Sequence, residues 1–336
     1  MAVQGPAFSV GAGRRPPSLG AVADQREGAL TFVFNSDPER GAIFARRFAA
    51  ALPDVAFAQG LESVAPESVR YLLTWSAPPH MERFHGLELL LSMGAGVDQF
   101  DLTALPPQAQ VVRMLEPGVE RMMQEYVAMG VLALHRGLPR YLAQARDGLW
   151  RARPQVAAAE RRVFFFGLGR LAQAAAARLA PFGFRLAGWS RGPRAVEGVA
   201  CRHGPAGLSA MLAETDILIC LLPLTAQTRR ILDASLFARL PAGAALLHAG
   251  RGAHLDQDAL LAALDSGHLS AAMLDVTDPE PLPPEHRLWR HPGAIITPHV
   301  ASVTQAETAA DAVIENIKRW RAGLEPKGLV DRARGY

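Results

Sequence analysis

Apolar runs and amphipathic stretches alternate along this chain in two successive series. Short runs of the kind that form buried strands occur at Leu30 to Phe34, Val55 to Ala58, Tyr71 to Trp75, Leu87 to Ser92 and Val111 to Met114. Between the first two, Asp37-Pro38-Glu39 opens a helix predicted through Leu52, with proline in the first turn and acids at the positive end of the dipole. A long helical stretch is predicted from Val119 to Trp150, broken or bent at Pro139. The second series starts at Arg161. It has strands at Val163 to Phe166, Arg185 to Ser190, Ile217 to Leu222, Ala244 to Ala249, Ala271 to Val276 and Ala294 to Thr297. An alanine-rich helix, Leu171 to Leu179, is stopped by Pro181 and Gly183, and Asp256 caps another that runs to Gly267. A last helix spans Thr304 to Ala322. Strands alternating with helices predict an α/β protein with parallel sheets.

Composition narrows this picture. A chain of 336 residues holds about two domains, and 49% hydrophobic with 20% charged residues describes an ordinary folded globule. The apolar stretch Ile217 to Leu224 has eight residues and contains Pro223, whereas a membrane span needs about 20, so a transmembrane protein is excluded. The balance of 35 basic to 32 acidic residues, +3, is too even for a nucleic-acid footprint. Only Lys318 and Lys327 are lysines, so the basic residues are arginines spread along the chain. Cys201 and Cys220 form no C-x-x-C pattern, which excludes a disulfide framework or zinc finger and suits a reducing cytoplasm. Residues 1–28 carry neither apolar periodicity nor the apolar core of a signal peptide and are expected to be a flexible extension.

Three regions carry chemistry. The first is Val163-Phe-Phe-Phe-Gly167-Leu168-Gly169-Arg170-Leu171-Ala172, a G-x-G-x-x-A turn between a strand and a helix. Gly167 permits the tight turn, Gly169 clears space for a pyrophosphate, and Ala172 lets helix and strand pack closely. The helix N-terminus then offers N–H groups to phosphate; the plainer alternative is a glycine turn kept for packing. The second region ends the next strand, Gly188-Trp-Ser190-Arg191-Gly-Pro-Arg194. An NAD site places a carboxylate there for the ribose 2′-hydroxyl. Here a hydroxyl and two guanidiniums are available for a 2′-phosphate, which favours NADP over NAD; the alternative is a loop of two solvated arginines.

The third region supplies three strand ends: His248-Ala249-Gly-Arg251-Gly, Leu274-Asp275-Val-Thr277-Asp-Pro-Glu280 and Thr297-Pro-His299. Arg251, Glu280 and His299 are expected to meet around one pocket and to suit reduction of a 2-keto acid. The guanidinium binds and polarises, the imidazolium donates a proton, and the carboxylate keeps the imidazole charged and oriented. The remaining histidines lack convergent spacing, and no metal site is expected.

With these residues in view, the chain resembles the D-isomer-specific 2-hydroxyacid dehydrogenases, in particular the glyoxylate/hydroxypyruvate reductase A type, over about residues 29 to 336. The resemblance includes Met93-Gly-Ala95-Gly96-Val97-Asp98, Gln124-Glu-Tyr126, the glycine turn, Leu221-Leu222-Pro223-Leu-Thr225 and the spacing of Arg251, Glu280 and His299. It implies two doubly wound parallel-sheet domains: a Rossmann NADP-binding domain, residues 117–299, inserted in a flavodoxin-like substrate domain, residues 29–116 plus 300–336. It further implies that the backbone at Ala95, Gly96 and Val97 binds the substrate carboxylate and that Trp75 lines the pocket. Leu222, Pro223, Ala249 and Asp275 are implied to join the glycine turn, Ser190, Arg191 and Arg194 around the cofactor. The implied activity is NADPH-dependent reduction of glyoxylate or hydroxypyruvate in a cytoplasmic homodimer. Reduction of another short 2-keto acid, or a non-catalytic nucleotide-sensing module on the same fold, are the rival readings. His248 stands where the family commonly has asparagine, and Thr277 where it commonly has phenylalanine.

Overall fold

The structure, a computed structural model, describes residues 30–335. The extension expected at residues 1–28 lies outside the described residues. The chain divides into two compact units, one formed by residues up to Pro117 with those from Thr304 onward, the other by Gly118–Val303.

The first unit contains β1 (Leu30–Asn35), α1 (Pro38–Ala51), β2 (Val55–Gln59), β3 (Val69–Thr74), β4 (Leu89–Ser92) and β5 (Gln110–Val112). The five strands pair in parallel in the order β2-β1-β3-β4-β5, the flavodoxin-like winding. β1, β3 and β4 read as almost unbroken apolar runs because both faces of a parallel sheet are covered. Phe32, Phe34, Tyr71 and Leu73 pack on one side with Phe44 and Phe48 of α1, and Val33, Leu72 and Leu90 on the other. Asp37 caps α1, its carboxylate accepting from the Arg40 N–H at 2.9 Å. The buried Glu116 carboxylate accepts from the Gln305 N–H and the Thr308 hydroxyl at the start of the C-terminal helix Ala306–Arg321, where a negative charge meets the positive helix end.

The second unit continues the numbering with α2 (Pro117–His135), α3 (Leu138–Arg146), β6 (Arg162–Phe166), α4 (Arg170–Leu179), β7 (Arg185–Ser190), β8 (Ala200–His203), α5 (Gly204–Leu212) and β9 (Ile217–Cys220). It ends with α6 (Ala234–Ala238), β10 (Ala244–His248), α7 (Gln257–Asp265), β11 (Leu269–Leu274) and β12 (Ala294–Ile296); the Ala306–Arg321 helix of the first unit is α8. Its strands are all parallel, in the order β12-β11-β10-β9-β6-β7-β8. The order reverses at β6, which is the Rossmann switch point. The expected fold class is therefore the observed one. One expectation needs correction: the long helix from Val119 breaks at Gly137, which adopts a left-handed φ of 68°, and not at Pro139. Pro139 sits in the first turn of α3, where its missing N–H costs nothing, and α3 ends at Arg146 rather than Trp150. Among the described residues, no helix is long and apolar enough to cross a membrane.

Candidate active site

The carboxyl ends of β6, β7, β9, β10, β11 and β12 carry the residues singled out in the second unit. The glycine turn leaves β6 at the switch point. Gly167 has φ 101°, and a β-carbon there would also press on the Leu222 side chain at 2.8 Å. At Gly169 a β-carbon would meet nothing within 4 Å, and α4 starts directly after it with no side-chain cap on its N–H groups. The turn is thus open where a phosphate needs room, with helix donors behind it. Leu168 is buried and Leu171 packs against the core, while Arg170 pairs with Glu120 at 2.7 Å.

After β7 the Ser190 hydroxyl donates to the Gly192 carbonyl at 2.8 Å, which folds the loop back on itself. Arg194 donates to the Leu168 carbonyl at 3.3 Å, so its guanidinium lies against the glycine turn. Arg191 is exposed on the same loop. Leu222 and Pro223 follow β9, and Ala249 follows β10, its N–H donating to the Cys220 carbonyl.

β10, β11 and β12 are neighbours in the sheet, which brings their ends together. The His299 Nδ1 meets the Glu280 Oε2 at 2.9 Å, and the other Glu280 oxygen accepts from the Thr277 N–H at 3.1 Å. Burial pushes the Glu280 carboxyl up, but the hydrogen bond and charge of His299, the Thr277 N–H and the Arg251 charge outweigh it. The carboxyl ends below its ordinary range. Glu280 is therefore an anion at neutral pH, and Arg251 is close enough to act on it electrostatically.

Sequence reasoning missed how His299 is held. It adopts a left-handed φ of 54°, and its N–H donates to the Asp275 carbonyl at 2.8 Å. The buried Asp275 carboxylate accepts from the Thr297 hydroxyl at 2.7 Å and from the Val300 and Ala301 N–H groups at 2.9 and 2.8 Å. Because Thr297 gives its proton to Asp275, the Tyr126 hydroxyl must donate to Thr297, at 2.6 Å. Burial raises the Tyr126 phenol well above its usual range, so that donor is retained. An aspartate at a strand end, followed by Thr-Pro-His at the next, was the available signal.

In the first unit, the Ser92 hydroxyl at the end of β4 accepts from the Gly94 N–H and donates to the Gly96 carbonyl, which shapes the Met93–Asp98 turn. Among the described residues, none accepts from the N–H groups of Ala95, Gly96 or Val97. Trp75 is 38% exposed, with its ring packed against Gly94.

Cys220, His248 and His254 present ligand-type atoms within 4.8 Å of one another, all buried. The imidazoles are engaged with main chain. His254 accepts from the Arg251 N–H at 3.0 Å and meets the Pro223 carbonyl at 3.2 Å, and His248 meets the Arg251 carbonyl at 2.9 Å.

Comparison with known proteins extends this geometry. The family model for the NAD binding domain of the D-isomer specific 2-hydroxyacid dehydrogenases matches residues 128–301. The chain belongs to this dehydrogenase family. It is thus an oxidoreductase acting on CH–OH donors. Glyoxylate/hydroxypyruvate reductase A of Yersinia enterocolitica is 40% identical over 273 residues, covering 79% of this chain and 87% of that one. The structure of a family member from Xanthobacter autotrophicus Py2 in complex with NADPH and MES superposes with a TM-score of 0.84 at 39% identity, covering 92% and 99% of the two chains. An NADPH-dependent glyoxylate/hydroxypyruvate reductase from Sinorhizobium meliloti, solved with NADP and sulfate, gives 0.82 at 36% identity, covering 92% and 100%.

Proposed function

We propose that this dehydrogenase reduces glyoxylate and hydroxypyruvate with NADPH, forming glycolate and D-glycerate. The observation that carries the reading is the Glu280–His299 pair, 2.9 Å apart at the strand ends beside Arg251. Its relatives from Yersinia enterocolitica and Sinorhizobium meliloti are named glyoxylate/hydroxypyruvate reductases, the latter NADPH-dependent. The second unit is assigned to NADP and the first to the keto acid.

The residues present fit the nucleotide. Gly167, Leu168 and Gly169 with the start of α4 would hold the pyrophosphate. Ser190, Arg191 and Arg194 would take the 2′-phosphate, since the residues directly after β7, Arg191 to Arg194, include no carboxylate to compete for it. Leu222, Pro223, Ala249 and Asp275 would border the rest of the cofactor. When bound, NADPH supplies the hydride that reaches C2 of the substrate.

The chain's own residues do the remainder. The N–H groups of Ala95, Gly96 and Val97 offer an anion nest to the carboxylate, and Trp75 an apolar wall. Arg251 clamps the substrate and stabilises negative charge growing on the carbonyl oxygen. His299, its Nδ1 committed to the anionic Glu280, gives that oxygen a proton from Nε2. Glu280 fixes the orientation of the ring.

A homodimer is the assembly we propose. Leu138, Leu142 and Leu149 are each more than 40% exposed and Trp150 is fully exposed, an apolar surface that a second copy would cover. Cys201 and Cys220 are free thiols, which suits the cytoplasm.

The deciding experiment is NADPH and NADH oxidation assayed in parallel with glyoxylate, hydroxypyruvate and a panel of other keto acids. His299→Ala should lose about 10²- to 10⁴-fold in kcat while still binding NADPH. A fully active variant, or no turnover of glyoxylate by the wild type, would overturn the reading.

A further inference from the structure

We propose that His248 and His254 are positioning residues that grip the main chain of Arg251 from both sides and so aim its guanidinium at the substrate; this rests on the assignment of Arg251 made above. Arg251 lies just past β10, where the strand ladder has ended and its backbone is extended. Its main-chain groups are met by imidazoles instead of a neighbouring strand. The Arg251 N–H donates to the His254 Nδ1 at 3.0 Å, and the His248 Nε2 donates to the Arg251 carbonyl at 2.9 Å. That carbonyl also accepts from the His254 N–H at 3.0 Å.

These contacts dictate the proton positions. A carbonyl only accepts, so the His248 Nε2 must carry hydrogen. A backbone N–H only donates, so the His254 Nδ1 must be a lone pair, and its Nε2 then donates to the Pro223 carbonyl at 3.2 Å. Both rings are fully buried and pack edge to face, 5.7 Å between centroids. Burial, reinforced by the neighbouring His254, holds His248 neutral down to about pH 3, so it has no proton to give the substrate near neutrality. Two neutral imidazoles in an otherwise apolar interior are costly to desolvate, and a leucine would fill the space at lower cost. What a leucine cannot do is accept from the Arg251 N–H or place a side-chain donor on its carbonyl. His254 also ties Arg251 to the Leu222-Pro223 segment assigned to the cofactor, giving the guanidinium a reference to the nucleotide.

The test uses the full-length enzyme with His248→Leu and His254→Leu, the conservative variants His248→Gln and His254→Asn, and each leucine change repeated in an Arg251→Ala background. The leucine variants should raise the keto-acid KM and lower kcat/KM by about tenfold or more. His248→Leu should leave the NADPH Kd within about threefold. Glutamine or asparagine, which keep a donor or an acceptor at the same place, should recover most of the loss. In Arg251→Ala enzyme the leucine changes should cost nothing further, because the residue they act through is gone. Equal losses in both backgrounds, or an unchanged keto-acid KM, would overturn the grip while leaving Arg251 in its role. Activity surviving Arg251→Ala would overturn both. Where a leucine variant does not fold, methionine at the same position enters the same comparison.

Discussion

His248 shows how burial decides the behaviour of a single residue here. With no exposure and a carbonyl partner it stays neutral until about pH 3, against 6.5 for an ordinary histidine. The unfolded chain therefore takes up a proton near pH 6.5 that the folded chain refuses, with His254 and Arg251 adding to the refusal and the Arg251 and Cys220 carbonyls partly offsetting it. A group with a depressed folded value contributes stability that is complete above its unfolded value and is lost as pH falls. Stability should decline by up to about 1.4 kcal/mol per pH unit below about 6.5 from this residue. Urea unfolding at a series of pH values checks this, and His248→Gln should flatten the acid limb. The chain shows where Arg251, Glu280 and His299 stand, since each follows an apolar strand. It does not show that Asp275, Thr297 and Tyr126 form the brace behind His299. Tyr126 and Thr297 are 171 positions apart and meet only through folding.

At the level of elements, the strands and helices with strong burial were legible, because a parallel sheet covered on both faces demands continuous apolar runs. The helix start at Asp37 and the cap at Asp256 were legible too, and each aspartate accepts from the N–H three residues on. Three elements escaped: β8, α5 and α6. β8 is an edge strand with largely exposed residues, and α5 opens on Gly204-Pro205, which reads as a turn. The connection after β10 depends on a close approach. A β-carbon on Gly252 would overlap the Thr277 carbonyl, in the loop that carries Glu280. Gly252→Ala must push the Arg251 and Glu280 segments apart. It should cost more than about 2 kcal/mol in thermal or urea unfolding and reduce kcat/KM together with stability. Alanine there with wild-type stability would show that the two loops can separate freely.

For the whole molecule, the exposed apolar residues around α3 predict an assembly. In sedimentation velocity the wild type should run as the proposed dimer and the Trp150→Asp, Leu142→Asp double variant as a monomer; a monomeric wild type would overturn the dimer, and an unaltered double variant would place the interface elsewhere. The alternation of strands and helices, the G-x-G-x-x-A turn, the arginines after β7 and the three strand-end residues were determined by sequence alone. These signals are local: periodicity, a turn and its neighbours, a residue type at the end of a run. Strand order was not local, nor was the register that makes β10, β11 and β12 neighbours and sets Glu280 2.9 Å from His299. Nor was the orientation of Arg251, set by two histidines that the sequence does not show meeting its main chain. Tertiary structure decided these because a buried main-chain group must find a partner in space, and the nearest partner in space is seldom the nearest in sequence.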